Sequence, residues 1–343
     1  MSAERAGVLD GAIAPAENNR LYGHEQAESF LAQSYRSGKG HHAILIEGPE
    51  GIGKATLAFR FAHHILKHPE PAEAPEAISD PDPTSAIGRQ LASGASHNLL
   101  HLSRPIDEKT GRAKGAITVD EVRRAGKFFS QTSGTGNWRI VIIDPADDLN
   151  RNAANAILKI LEEPPRRSLF LVLTHAPGKL LPTIRSRCLP LRLKPLDAAP
   201  LRQALSHLGF DLEGENAERI VAAANGSVAV ALKLINYGGL EIAATFEGIL
   251  AGQGPAVRKD MHKLADALSG KDSETIFEFF QALASDRILR DAREAAIAGD
   301  IMRAERFARL SASVTERLTV SDAYNLDRKQ TILSLLDDMK AAL

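Results

Sequence analysis

The segment Gly48-Pro-Glu-Gly-Ile-Gly53-Lys54-Ala55-Thr56 departs at a single position from the phosphate-loop pattern GxxxxGK[ST]. Glycines at this spacing let backbone N–H groups curl around phosphate oxygens, and the lysine adds a positive charge. A helix starting at the lysine adds the positive end of its dipole. Gly48, Gly51, Gly53, Lys54 and Thr56 are therefore the candidate phosphate ligands. The departure is at position 55. In hydrolysing sites that residue is Ser or Thr, and its hydroxyl holds Mg²⁺. Here it is alanine, and Thr56 sits about 100° further round the helix. Such a loop keeps the means to hold phosphate and lacks the metal ligand for hydrolysis. Two readings stay open: nucleotide bound without turnover, or a tight turn kept for packing.

The second half of a nucleotide site is an apolar strand ending in acids. Arg139-Ile-Val-Ile-Ile-Asp144 supplies the strand and one acid, Asp144. A carboxylate should follow to polarise the attacking water, but position 145 is proline. Losing general-base help costs about 10²- to 10⁴-fold. Asp147 lies beyond the strand and is expected to face elsewhere. The cofactor expectation is accordingly that none is required, with at most weak ATP or ADP binding and no hydrolysis.

These residues need elements to place them. Ala43–Ile46, Asn98–Leu102, Ile140–Ile143, Leu169–Leu173 and Cys188–Leu193 read as short buried strands. Helical spacing covers Leu21–Ser37, Leu57–Leu66, Val119–Gln131 and Asn152–Glu162, the last stopped by Pro164 and Pro165. Strands alternating with helices predict a parallel sheet covered by helices, placed at residues 15–194 behind a loose polar arm, 1–14. Residues 68–88, rich in Pro, Ala and acids, read as an exposed loop without regular elements. Residues 195–243 read as a small domain of short helices. Residues 244–343 read as a purely helical domain with apolar stripes such as Ile276, Phe279, Phe280, Leu283 and Ile332, Leu335, Leu336, Met339. The fold class is thus α/β plus all-α.

Composition narrows the function classes. Lys and Arg number 42 against 43 Asp and Glu, so a free-standing DNA-coating protein is disfavoured. The single cysteine, Cys188, excludes an internal disulfide or a Cys-based zinc site. It suits an intracellular chain and reads as a small buried hydrophobe. No apolar run approaches the roughly 20 residues of a membrane span, and the first residues lack a signal peptide's apolar core.

GHHAILIEGPEGIGKATLAFRFA, WRIVIIDPADDLNRNAANAILKILEEPP and LTHAPGKLLPTIRSRC together resemble the AAA+ subunits of the bacterial clamp loader, the delta-prime group above all. Asn325-Leu-Asp-Arg-Lys-Gln330 resembles that group's C-terminal collar. The resemblance implies an AAA+ P-loop domain, a helical lid and a helical collar. It implies the partners too: a delta subunit and gamma/tau ATPase subunits in a cytoplasmic pentamer that loads the sliding clamp onto primer–template DNA.

It also implies roles. Ser186-Arg187-Cys188 is similar to the family's Ser-Arg-Cys motif, whose arginine points across a subunit interface at a neighbour's ATP. Thr174 falls where the family's first sensor lies, to bond a phosphate or water or else to cap a strand end. Ala229 stands where the lid's sensor arginine belongs. The resemblance implies a non-hydrolysing subunit. The alternatives are an active ATPase of the gamma/tau type, which would need a hydroxyl at 55 and a glutamate at 145, and a nucleotide-sensing adaptor. The four-cysteine zinc module of many relatives has no counterpart at 67–97, and His64, His68, His97 and His101 complete no tetrahedral set. No zinc is expected. Arg112, Lys114, Arg123, Arg124 and Lys127 offer either a phosphate track or, twice as readily, a solvated helix face.

Overall fold

The computed structural model describes residues 8–107, 113–130, 136–270, 273–324 and 326–343. The chain divides into two compact units, Met1–Ala229 and Val230–Leu343.

The first unit is built on five parallel strands: β1 (Ala43–Glu47), β2 (Leu99–Leu102), β3 (Arg139–Ile143), β4 (Ser168–Thr174) and β5 (Leu189–Arg192). Their order across the sheet is β2-β3-β4-β1-β5. The register runs Ile46↔Leu173, Ile46↔Leu191 and Ile143↔Val172, so every strand ends at the same sheet edge. Side chains alternate between two cores. Ile44, Ile46, Ile140, Ile142, Leu169 and Leu171 face one, with α1 (Glu25–Arg36) and α2 (Lys54–Lys67). Ala43, Leu45, Val141, Ile143, Phe170 and Val172 face the other, with α4 (Val119–Ser130) and α5 (Arg151–Glu162). Burial on both faces is why these strands read as continuous apolar runs. Each fully buried Leu or Ile contributes about 1.5–3 kcal/mol.

One expectation is corrected here. Residues 68–88 are not a featureless loop. They hold a 3-10 turn at Pro71–Glu73 and the start of a helix, α3 (Ala86–Ala92). Ala74 is fully buried, and Arg36 donates to its carbonyl. Trp138 Nε1 donates to Pro69 O (3.0 Å) and Tyr35 Oη to His68 O (2.7 Å). Buried Arg60 of α2 pairs with Asp80 (2.9 Å) and Glu28 (2.7 Å). Just after the arm, Ala16 packs on the first core, Arg60 donates to Asn19 O, and Arg20 pairs with Asp80. The fastenings are charged groups and single carbonyls, which carry no periodic signature.

The rest of the unit is α6 (Pro182–Arg185), α7 (Ala198–His207), α8 (Gly214–Ala223) and the start of α9 (Val228–Asn236). The second unit is helical: α10 (Gly239–Ala251), α11 (Pro255–Leu268), α12 (Glu274–Ile297), α13 (Ile301–Tyr324) and α14 (Arg328–Ala342). Ile276, Phe279 and Phe280 of one expected stripe are buried, as are Ile332, Leu335, Leu336 and Met339 of the other. Phe246 and Phe280 meet edge to face at 5.6 Å. Asp327 caps α14 by accepting from Gln330 N. Asn325 and Arg112 lie outside the described residues. Among the described residues no single helix is long and apolar enough to cross a membrane.

Candidate functional site

The phosphate-loop segment leaves β1 at the edge where all the strands end and enters α2. Gly48 (φ 153°), Gly51 (φ 74°) and Gly53 (φ 102°) give it its curl, in backbone conformations that only glycine adopts freely. Its carbonyls are occupied from within the unit. Lys54 Nζ donates to Gly48 O (2.7 Å) and Pro49 O (2.5 Å). Ser227 Oγ donates to Glu50 O (2.8 Å), and Val228 N to Gly51 O (2.9 Å). His24 Nε2 meets Ile52 O at 2.7 Å. The turn at 226–229, which carries Ala229 in place of a sensor arginine, lies directly on the loop. A Cβ at Gly51 would come within 2.3 Å of the Ala229 Cβ.

The acids stand around the lysine. Lys54 is buried, with Asp144, Glu50 and Asp147 near enough to favour its charge, yet burial prevails and brings its pKa down to about 8. Asp144 directly follows β3, with His101 Nε2 at 3.5 Å. Thr174 ends β4 fully buried, and its carbonyl accepts from Gly48 N (3.2 Å). Asp147 does not face elsewhere, as the sequence led us to expect. Its carboxylate accepts from Thr174 Oγ1 (3.0 Å), His175 N (2.7 Å) and Ala176 N (3.0 Å). It thus caps the end of β4 and engages the sensor hydroxyl. Thr56 is buried on α2. Cys188 is buried just before β5, and burial pushes its thiol up to about 12, the state of an inert packing residue. Among the described residues, no three His, Cys, Asp or Glu side chains gather as metal ligands.

The buried lysine makes stability depend on pH. Its folded pKa lies below the ordinary 10.5, so between about 8 and 10.5 the unfolded chain holds the extra proton. Folding is therefore favoured as pH rises through that window, by up to about 3 kcal/mol from this group. Urea unfolding of the natural chain and Lys54→Met at pH 7.5 and 10.5 isolates the effect. The stability difference should move toward the natural chain by about that amount, and a constant difference would refute the burial described.

Gly48, Gly51, Gly53, Lys54, Asp144 and Thr174 come together at one edge of the sheet. Arg187 does not join them. It sits between α6 and β5, just before the strand begins. Leu189 is in register with Ile44, so the arginine's turn stands about 13 Å or more along the strands from the loop that follows Glu47. It cannot serve its own chain's loop from there. Arg187 Nη2 donates to Glu162 Oε1 (2.6 Å) and Nη1 to Thr183 O (2.9 Å). Glu162 escaped the sequence reading, because its place beside Arg187 depends on the fold. Arg185 has Pro177 O as partner (3.3 Å). Arg123 and Arg124 pair with Asp120 and Glu121 of their own helix, as a solvated face would.

The sequence family described as DNA polymerase III, delta subunit, matches residues 23–197, the sheet, the loop and the Arg187 turn together. The chain belongs to this family. DNA polymerase III subunit delta' of Pseudomonas aeruginosa is 34% identical over 197 residues, 57% of this chain and 56% of that one. Subunit tau of Escherichia coli is 27% identical over 283 residues, 81% of this chain but 40% of its own length. Subunit delta' of Escherichia coli is 28% identical over 263 residues, covering 76% of this chain and 73% of that one. The chain thus spans about half the length of the first two relatives. The parallel sheet and helical C-terminal part expected from the AAA+ resemblance are those found.

Proposed function

We propose that the chain is a non-hydrolysing subunit of a DNA polymerase III clamp loader, of the delta-prime kind. It would need no nucleotide of its own and would present Arg187 to the ATP of an adjacent ATPase subunit. What carries the non-hydrolysing reading is the chemistry missing at positions 55 and 145; the loop is in addition braced from within. Lys54 bonds the loop's own carbonyls, and Ser227 and Val228 close over Glu50 and Gly51. Ala55 stands in place of the metal ligand and Pro145 in place of the base. Asp147 is committed to three hydrogen bonds at the end of β4, so it does not replace that base.

The partners follow from the family: gamma/tau-type ATPase subunits and a delta subunit, with the sliding clamp and primer–template DNA met through the assembled cytoplasmic complex. The three-part division into P-loop domain, lid and collar, with boundaries near 194 and 243, belongs to the same proposal. No zinc enters it. Titration of ATP into the isolated chain should give a Kd of about 1 mM or weaker, with no Mg²⁺-dependent turnover. Tight binding would favour the nucleotide-sensing adaptor. Turnover abolished by Lys54→Ala would restore the active ATPase.

A further inference from the structure

Arg187 is held by oxygens from two separate elements. Glu162, the last residue of α5, accepts from Nη2 at 2.6 Å. The Thr183 carbonyl of α6 accepts from Nη1 at 2.9 Å, and Ser186 Oγ lies 3.5 Å from the same nitrogen. Two nitrogens fixed from two directions fix the plane of the guanidinium. A guanidinium carries five N–H donors in a rigid fork. The bonds to Glu162 and Thr183 use two of them, so the group can be held on one edge and offer another edge to a second set of oxygens. The helix C-terminus at Glu162 adds its own negative end. Arg187 and Glu162 remain 33% and 49% exposed in their side chains. The pair therefore stands at the surface, where a neighbouring subunit's phosphates can reach it.

We propose that Glu162 is a positioning residue for Arg187: it orients the guanidinium before a neighbour's ATP arrives and shares it with the phosphoryl oxygens during hydrolysis. This rests on the reading of Arg187 as an arginine finger. Glu162 forms no bond to the nucleotide and moves no proton. At the neighbour's site, water attacks the γ-phosphorus and the bond to the β,γ-bridging oxygen breaks. Glu162 only limits the search of a long, flexible side chain for its productive orientation. Half-exposed ion pairs hold weakly, which sets the size of the effect.

The test uses the assembled loader with its other ATP sites disabled by substitutions in the neighbours. Glu162→Ala should lower kcat about 3- to 5-fold at unchanged KM for ATP, with an unchanged melting temperature. Glu162→Gln keeps an acceptor oxygen at the same reach and should recover most of that loss. In an Arg187→Ala background, Glu162→Ala should change nothing further. An unchanged kcat in Glu162→Ala, beside a collapsed kcat in Arg187→Ala, would overturn the positioning role alone. So would a Glu162→Ala effect that persists without Arg187. Normal turnover in Arg187→Ala would remove the finger reading and this inference with it.

Discussion

Arg187→Ala is expected to lower ATP turnover at the site it serves by about 10³- to 10⁵-fold, the range known for arginine fingers in GTPases. The transferring phosphoryl group spreads negative charge over its equatorial oxygens, and a planar guanidinium offers paired N–H donors to that charge. The loss should fall on kcat, because the interaction strengthens as charge develops. Lysine should not rescue it, since an ammonium cannot reproduce the fork. The isolated chain should fold as before, because the Arg187–Glu162 pair is half-exposed and contributes at most about 1 kcal/mol. Single-turnover hydrolysis in a loader whose other ATP sites are disabled reads this directly. A rate within twofold of the natural complex would leave Arg187 as a surface arginine paired with Glu162 and no more.

What the sequence made legible was what short-range pattern encodes. Five apolar runs became five strands, because parallel strands buried on both faces need no polar alternation. Ala55 and Pro145 read as missing chemistry because the pattern demands one functional group at one position. Long-range bonds leave no such trace. Ser227 meets the Glu50 carbonyl across 177 positions, and Arg187 meets Glu162 across 25. Asp147 was misplaced for the same reason, since the N–H groups it accepts from belong to a strand end 28 and 29 positions away. Residues 68–88 looked unstructured because ion pairs to Arg60 and single carbonyl bonds, not an apolar stripe, fasten them. At Ala229 the sequence read only an absent arginine. Its methyl group in fact packs against Gly51, where a larger side chain would have to lift the turn from the loop.

That contact makes Gly51→Ala the most destabilising small change we expect in the loop, at about 4 kcal/mol. The left-handed backbone at Gly51 (φ 74°) costs a non-glycine residue about 1–2 kcal/mol. The new Cβ would also lie 2.5 Å from Ser227 Oγ and 2.8 Å from the Ala229 backbone nitrogen. Backbone cannot yield as a flexible side-chain end can, so the turn at 226–229 must lift. Lifting it forfeits the Ser227–Glu50 and Val228–Gly51 hydrogen bonds, each contributing about 1 kcal/mol. Gly94 supplies the control, for it has a similar φ of 69° with nothing within 4 Å of its virtual Cβ. Gly94→Ala should therefore cost only the backbone strain, about 1–2 kcal/mol. Urea unfolding of both variants should separate them by about 2–3 kcal/mol. Equal costs would show that nothing rests on the loop at Gly51. A glycine kept for phosphate approach would instead show its loss in nucleotide affinity and leave stability near that of Gly94→Ala. The two measurements together thus decide whether the turn's closure over the loop, rather than a phosphate, is what the glycine serves.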